Sequence, residues 1–214
     1  MRTDPRLRAP RAARAVTVTD AAAPARLPDI EAIRDLMTGW IHRDSGNWAE
    51  LLELFHPDAT IEVTWFSGLA CEFVEASRRM GGSAFRAKHL IADPVVTFTG
   101  DRAVVETNAV IVVENTDLDL GANTHNRFID QVERRGGVWR IARRDSVYDF
   151  STFALPYGPV DIDTALARSF PREYAALAYL LVHSGFTVDH VFATRGSDLE
   201  HSIRANADRW LAQR

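Results

Sequence analysis

Asp44 and His89 are the two residues whose types and settings best fit acid–base chemistry. Asp44 precedes Ser45 and Gly46 at the predicted end of an N-terminal helix, and His89 lies where a helix is predicted to give way to a strand. A carboxylate that binds one imidazole nitrogen fixes the tautomer and stabilises the imidazolium, so the other nitrogen can act as a general base at neutral pH. Because the two residues lie far apart in the sequence, only the fold can bring them together.

Each residue also has a structural interpretation. Asp-Ser-Gly is common at the end of a helix, where the carboxylate of Asp44 would be solvated. His89 would then be a hydrogen-bonded core histidine or a surface one. The catalytic hypothesis therefore depends on the elements that position the two side chains.

The composition limits the classes of protein. The chain has 214 residues, of which 46% are apolar and 25% are charged, as in a sizeable globular domain. The net charge of −4 gives no reason to expect a nucleic-acid partner, since such proteins usually carry a basic face. No stretch approaches the roughly 20 apolar residues of a membrane helix, so no membrane partner is expected. The single cysteine, Cys71, excludes an internal disulfide and fits a cytoplasmic location.

Residues 1–28 differ from the rest of the chain. They are rich in Arg, Ala and Pro and lack hydrophobic periodicity. A secretory signal needs an apolar segment of about 7–15 residues, which is missing here. Arg-rich, acid-poor leaders also occur in organelle transit peptides, but the composition favours a disordered arm.

Apolar residues at helical spacing predict helices, and alternating apolar residues predict strands. The first strand is followed by a helix with a weak point at Gly81-Gly82, and a meander of four strands follows, separated by short turns. The predicted helices are 28–46, 48–55, 72–87, 171–184 and 198–211, and the predicted strands are 59–66, 95–99, 102–114, 124–134 and 138–149.

This order of elements predicts an α+β fold. A strongly curved, mainly antiparallel sheet would pack against the N-terminal helices and leave an apolar cavity between them. Residues 29–150 would form this domain. Residues 151–214 would form a helical C-terminal extension that packs on the same domain.

Two phrases, at residues 48–60 and 132–141, occur in an order that resembles the SnoaL-like branch of the nuclear transport factor 2 (NTF2) superfamily. The resemblance covers about residues 29–150 and implies an NTF2-like cone. The best-known enzymes of this branch are scytalone dehydratase, γ-hexachlorocyclohexane dehydrochlorinase, ketosteroid isomerase and polyketide cyclases. The fold alone does not decide among these activities, because it also hosts non-enzymes.

The resemblance implies roles for four residues. Asp44 and His89 stand where the dehydratase-like and dehydrochlorinase-like enzymes keep an aspartate and the histidine of a dyad. Arg144 is similar in position to a pocket arginine of the dehydrochlorinases, although it also fits a run of solvated strand arginines. His125 is a possible counterpart of a second histidine of scytalone dehydratase. The pair of tyrosines which that enzyme uses on a catalytic water is not recognisable in this chain.

The residues and the resemblance together predict a lyase without a cofactor. His89, supported by Asp44, would take a proton from carbon, and a neighbouring group would leave in a dehydratase or dehydrohalogenase type β-elimination. Arg144 would hold the leaving group or an enolate oxygen. The substrate would be small, mostly apolar, and cyclic or polyketide-like. An isomerase or cyclase that uses the same base, and a non-catalytic binding module, remain the alternatives.

Large apolar side chains are candidates for the cavity wall, although each also fits an ordinary core. No histidine spacing predicts a metal site, and no metal or organic cofactor is expected. Cys71 is expected to be buried, and His42 and His56 to lie on the surface. By analogy with this superfamily, a homo-oligomer, dimer or trimer, is expected. The candidate wall residues are Trp40, Trp65, Phe66, Phe73, Met80 and Phe85.

Overall fold

The computed structural model of the chain describes residues 26–213. Its helices are α1 (Leu27–Thr38), α2 (Ile41–Ser45), α3 (Trp48–Glu53), α4 (Ala70–Met80), α5 (Thr164–Arg168), α6 (Ala175–His183) and α7 (Asp198–Ala212). Its strands are β1 (Phe55–Val63), β2 (Phe66–Leu69), β3 (Phe85–Ile91), β4 (Val95–Thr99), β5 (Arg102–Asn115), β6 (Leu120–Arg135) and β7 (Val138–Ala154).

The strands form one mixed sheet in the order β2-β1-β7-β6-β5-β3, and β4 also pairs with β5. Only β1 and β7 run parallel; the remaining pairs of this sheet, within residues 26–213, are antiparallel. The β6–β7 register shifts at His125/Asn126 and at Gln131/Val132, and such bulges bend a sheet. The predicted α+β class with a strongly curved, mainly antiparallel sheet is confirmed, and the four-strand meander is found at 95–154.

The N-terminal helical segment is shorter than its sequence pattern predicts. One helix was expected to run to Gly46, but α1 ends at Thr38 and a separate α2 follows. Gly39 follows α1, and a Cβ there would lie 2.7 Å from Leu54 Cδ2, so the close approach of Leu54 requires glycine at this position. Gly46 ends α2 in the left-handed region, with φ 73°, where a residue without Cβ is favoured. These two turns place Asp44 in a short helix that faces the sheet edge.

The segment 72–87 was predicted to be one helix, and this prediction is wrong for its last part. Helix α4 ends at Met80, and the chain re-enters the sheet at Phe85. The seven residues of β3 pair in antiparallel register with residues 109–115 of β5, and this pairing outweighs the helical periodicity. His89 therefore lies inside a strand, opposite Ile111, and not at a boundary between helix and strand.

The two sides of the sheet bury different helices. Helix α6 contributes Leu177 and Leu181 to a cluster on the concave side with Ile111 and Val113. Helix α7 packs Ala207 on the opposite side against Ile129 and Val147. This division follows from the alternation of side chains along each strand.

The C-terminal helices were predicted at nearly these positions, whereas α5 was not predicted. The division into a domain 29–150 and an extension 151–214 stays a prediction. The predicted arm 1–28 falls largely on residues 1–25, which lie outside the described residues, and α1 begins at Leu27.

Candidate active site

Helix α2 and strand β3 bring Asp44 and His89 into contact. Asp44 Oδ1 lies 2.6 Å from His89 Nδ1, and Asp44 Oδ2 accepts the backbone N–H of His89 at 2.6 Å. The two side chains are only 2% and 6% exposed. With Nδ1 donating to the carboxylate, the imidazole carries its lone pair on Nε2, which has no protein hydrogen-bond partner within residues 26–213. One carboxylate thus fixes both the position and the tautomer of the histidine.

His89 lies on the wall of a cavity between the helices and the concave side of the sheet. Most of the wall is apolar, and its polar groups are few: Arg43, Thr64, His89, Ser146 and Tyr148. Their apolar neighbours are Trp40, Val63, Trp65, Phe73, Phe85, Ala87, Ile111, Val113, Phe128, Leu177 and Leu181.

The cavity is small in this structure. Its volume is about 30 Å³, which is room for very few water molecules and not for a substrate ring. Arg43, Phe85 and Ala87 separate the cavity from an outer vestibule of about 410 Å³. A larger ligand therefore has to displace side chains of this partition or of α6 to reach His89.

Burial and charge act together on His89. Burial lowers the pKa of His89 below its ordinary value, the hydrogen bond to Asp44 acts in the opposite direction, and the nearby charge of Arg43 lowers the pKa further. The net direction is downward, so His89 is neutral at pH 7 and can accept a proton. A neutral imidazole held by a carboxylate in an apolar cavity is suited to taking a proton from carbon.

Tyr148 provides a second chemical group on the cavity wall. Its hydroxyl oxygen accepts the backbone N–H of Thr64 at 2.9 Å and also the Thr64 hydroxyl. Two donated hydrogen bonds occupy the lone pairs of the phenol oxygen, which leaves the phenolic proton to be donated elsewhere. Burial raises the pKa of Tyr148, although the hydrogen bonds that its oxygen accepts oppose this rise. Tyr148 is therefore protonated at neutral pH and able to donate.

Not every candidate side chain reaches the cavity. Trp40, Trp65, Phe73 and Phe85 line it, whereas Phe66 packs behind Trp65 and Phe73. The buried Met80 lines the outer vestibule, where its sulfur lies 3.4 Å from Arg43 Nη2.

Arg144 is buried outside the set of residues that line the cavity. Its Nε and Nη2 donate to the two carboxylate oxygens of Asp130 at 2.7 and 2.9 Å. The guanidinium carbon lies 4.4 Å from the ring centre of Trp40 and 4.3 Å from that of Phe128. Trp40 and Phe128 both line the cavity, so Arg144 supports its wall from behind and is not placed to hold a leaving group inside it.

His125 lies on the other side of the sheet from His89. Its ring stacks on Phe150 with a centroid distance of 4.1 Å, in a shallow groove next to Leu90 and Val110. The structure therefore does not bring His125 together with Asp44 and His89.

Two expectations about exposure are wrong. Cys71 is exposed, because α4 buries the face with Phe73, Val74 and Met80 and leaves position 71 outside it. His56 is buried, with Nε2 2.9 Å from the carbonyl oxygen of Glu133.

Arg43 and Tyr148 line the cavity but were not predicted from the sequence. Arg43 directly precedes Asp44, and its adjacency was the available signal. Tyr148 lies two residues from Ser146 on β7, so strand alternation puts both on the same face. Leu177 and Leu181 have helical spacing in the predicted C-terminal extension, and the structure places both on the cavity wall.

Two properties of the described residues concern cofactors and membranes. Within residues 26–213, no three His, Cys, Asp or Glu side chains lie together in a way that would hold a metal ion. Among the helices of the same range, none combines the length and apolarity needed to span a bilayer.

The curved sheet, the N-terminal helices and the cavity between them define an NTF2-like α+β protein. Sequence comparison gives the same result, since residues 25–145 match the SnoaL-like domain family. The chain belongs to the SnoaL-like domain family.

The similar proteins are distant in sequence. Pea pathogenicity protein 2 from Fusarium vanettenii is 28% identical over 158 residues, which are 69% of this chain and 66% of that protein. Among solved structures, a protein assigned as a scytalone dehydratase from Novosphingobium aromaticivorans matches with a TM-score of 0.55 at 20% identity. The match covers 64% of this chain and 99% of that one.

A second solved structure is the type 3 hexachlorocyclohexane dehydrochlorinase from Novosphingobium barchaimii. It matches with a TM-score of 0.54 at 18% identity, over 64% of this chain and 97% of that one. At such identities the two structural matches establish the fold.

Proposed function

We propose that the protein is a cofactor-independent lyase that catalyses β-elimination, a dehydration or dehydrohalogenation, on a small, mostly apolar cyclic or polyketide-like molecule. The observation that carries this proposal is the Asp44 carboxylate, bonded to both the ring and the backbone of His89 on the wall of an apolar cavity. The names of the structural relatives, a dehydratase and a dehydrochlorinase, agree with this reaction type.

The proposed reaction uses residues of this chain alone. His89 Nε2 takes a proton from a substrate carbon, and Asp44 stabilises the imidazolium that forms. The electrons of the broken C–H bond form a carbon–carbon double bond, and the leaving group departs from the neighbouring carbon. Tyr148 donates its phenolic proton, or a hydrogen bond, to a leaving hydroxyl. The His89 proton then returns to solvent or to the tyrosine.

The apolar wall supports this chemistry in two ways. Exclusion of water strengthens the interaction of Asp44 with the imidazolium, because the local dielectric constant is low. Trp40 lies against the imidazole edge-on, with ring centres 5.8 Å apart, and restricts the rotation of the ring. The base is thus held in one orientation before the substrate binds.

An isomerase or cyclase would use the same base and return the proton to a different carbon. The Tyr148 hydroxyl, whose proton is free to be donated on the cavity wall, favours this second candidate, since it would hold an enolate oxygen. Mass spectrometry separates the reactions: elimination yields a product lighter by water or hydrogen halide, whereas isomerisation leaves the mass unchanged.

The test uses a panel of hydroxylated and halogenated ring compounds with product detection by mass spectrometry. In His89→Asn, the amide nitrogen takes about the place of Nδ1 and keeps the bond to Asp44 but cannot accept a proton. Turnover is expected to fall at least a thousandfold. In Asp44→Asn, the amide N–H forces the imidazole into the wrong tautomer, and turnover is expected to fall at least a hundredfold.

The control is His201→Asn, at an exposed histidine of α7, which is expected to retain full activity. All variants are expected to melt within a few degrees of the wild type. A His89→Asn protein that turns over substrate at the wild-type rate would remove the dyad from the mechanism. A panel without any product would favour the non-catalytic binding module.

A further inference from the structure

Arg43 is a buried cation next to the proposed base, and the fold gives it little to bind. Its side chain is 8% exposed. Within residues 26–213, its one side-chain hydrogen bond goes to the Met80 sulfur at 3.4 Å. The nearest carboxylate oxygen, Asp44 Oδ1, lies 4.0 Å from Nη1 and already binds His89. Burying a guanidinium without hydrogen-bonded partners is unfavourable, so this arrangement calls for a ligand.

The same chain contains a buried arginine with a structural role, which serves for comparison. Arg144 has a bidentate bond to the carboxylate of Asp130, and both side chains are at most 1% exposed. Arg43 has no such partner in the described part of the chain. The rings of Trp65 and Phe73 lie 5.9 Å from its guanidinium carbon, a distance that gives only a weak cation–π attraction.

Arg43 lies between the inner cavity and the outer vestibule. It lines both the inner cavity with His89 and the outer vestibule. The vestibule also contains the exposed Arg78 and Arg86, and its one acidic lining residue is Asp44. Arg78 has a loose pair with Glu75 at 3.6 Å. An entrance with this balance of charge attracts anions.

A second polar group of the vestibule also lacks a partner. The hydroxyl of Ser77 is buried and has no hydrogen-bond partner among residues 26–213, and Ser77 lines the vestibule with Arg43. A carboxylate has two oxygens, so it can accept hydrogen bonds from a guanidinium and a hydroxyl at once.

We infer that Arg43 is the anion-binding group of this site and that the substrate carries a carboxylate on its otherwise apolar ring or chain. The carboxylate enters through the vestibule and pairs with Arg43, which orients the adjacent carbon toward His89. This inference rests on the proposed function for its catalytic meaning, but binding of a carboxylate does not require turnover. Burial lowers the pKa of Arg43. A guanidinium nevertheless stays charged at neutral pH in proteins.

The test compares benzoate with benzamide, a neutral compound of the same shape, by isothermal titration calorimetry on the full chain. Wild-type protein is expected to bind benzoate saturably and at least tenfold more tightly than benzamide. Arg43→Met is expected to reduce the affinity for benzoate to that for benzamide. Arg79→Met removes an exposed arginine of α4 that does not line the vestibule, and it is expected to leave both affinities unchanged.

Two further measurements separate the possible outcomes. His89→Asn is expected to bind benzoate like the wild type, so a failure of the catalytic proposal would not affect this result. Arg43→Met is expected to melt at or above the wild-type temperature, because an unpaired buried charge is removed. The inference is overturned by equal affinities for benzoate and benzamide, by undetectable benzoate binding, or by a melting temperature of Arg43→Met many degrees below that of the wild type.

Discussion

His89 is held neutral in the folded chain, and this property affects stability as well as chemistry. In the unfolded chain a histidine titrates near its ordinary pKa of about 6.5. Burial lowers the pKa of His89 in the folded protein. Below about pH 6.5 the unfolded state therefore binds a proton that the folded state resists. The contribution of His89 to the free energy of unfolding is complete above that pH and declines as the pH falls toward the folded pKa.

We predict that this decline is specific to His89. The urea midpoint of the wild type should fall between pH 7.5 and pH 5.5 by more than that of His89→Asn, which has no titrating ring. His201→Asn, at an exposed position, should follow the wild-type curve. Equal pH dependence of the wild type and His89→Asn would show that the imidazole titrates normally and would remove the basis for a neutral base.

Tyr148→Phe is expected to have two separate effects. The N–H and hydroxyl of Thr64 lose their common acceptor, which should reduce the free energy of unfolding by about 1–3 kcal/mol. Dehydration should slow by about a hundredfold, since hydroxide leaves poorly without a proton. Tyr157→Phe, at a tyrosine that is 82% exposed, provides the control and should change neither quantity.

Comparison of leaving groups tests the role of Tyr148 further. A halide leaves without protonation, so a halogenated substrate should lose much less rate in Tyr148→Phe than its hydroxylated analogue. An equal loss with both substrates, measured as kcat under saturating conditions, would mean that the phenol positions the substrate and does not assist departure.

At the level of the elements, Asp130 and Arg144 join β6 to β7. They are direct partners in the antiparallel register, and their bidentate ion pair lies in the core beneath Trp40. Burial raises the pKa of Asp130 while Arg144 lowers it, and the net direction is upward. The pair therefore depends on both members, because loss of one leaves the other charge buried alone.

We expect Asp130→Asn to reduce the free energy of unfolding in urea by about 3–5 kcal/mol. The double variant with Asp130→Leu and Arg144→Met should lose much less, because no isolated charge remains. Asp101→Asn provides a matched control: it weakens an exposed pair with Arg134 and should cost far less stability than Asp130→Asn. A small effect of Asp130→Asn alone would mean that the pair is solvated or already neutral.

Periodicity in the sequence predicted most elements, and the errors have physical causes. The meander β4–β7 was predictable because its strands alternate and its turns are short. The end of α4 was not, since residues 85–87 fit a helix and are drawn into β3 by pairing with β5. Gly39 follows α1 where the side chain of Leu54, fifteen residues further along the chain, approaches its backbone, and such an approach leaves no local pattern.

The part of the site that was predictable is the pair in which a histidine base requires a carboxylate partner. Asp44 and His89 were identified from their chemistry and from a resemblance, and the structure brings them to hydrogen-bond distance. Arg144 and His125 were placed by analogy, and neither lines the cavity with His89. The place of Arg43 and Tyr148 in the site was not predictable, because it depends on the direction in which each side chain points. Packing decides this direction.

At the scale of the whole molecule, three parts of the chain build one cavity. The N-terminal helices supply Arg43, the sheet supplies His89 and Tyr148, and α6 covers the cavity with Leu177 and Leu181. The match to the SnoaL-like family ends at residue 145, so Tyr148 and the α6 leucines lie beyond it. Part of the cavity wall therefore comes from the segment that the family match does not include.

The outer side of the sheet carries a surface that is suited to the contact expected in a homo-oligomer. Leu90, Val110, His125 and Phe150 are successive register partners on four neighbouring strands, so their side chains form one row across the sheet. Leu90 is 58% exposed and Phe150 is 50% exposed. A row of this kind is suited to face-to-face contact between two copies, because association removes its apolar side chains from water.

We predict that the double variant with Leu90→Glu and Phe150→Glu is a monomer in solution, whereas the wild type is a dimer or trimer. Light scattering after gel filtration would measure the masses. Like charges placed on facing rows repel each other, so association should be lost while the melting temperature of the subunit changes little. Val138→Glu, at an apolar side chain that is also 50% exposed but lies at the β6–β7 turn, should leave the mass unchanged. A double variant with the mass of the wild-type oligomer would place the interface elsewhere, and a monomeric wild type would contradict the expected oligomer itself.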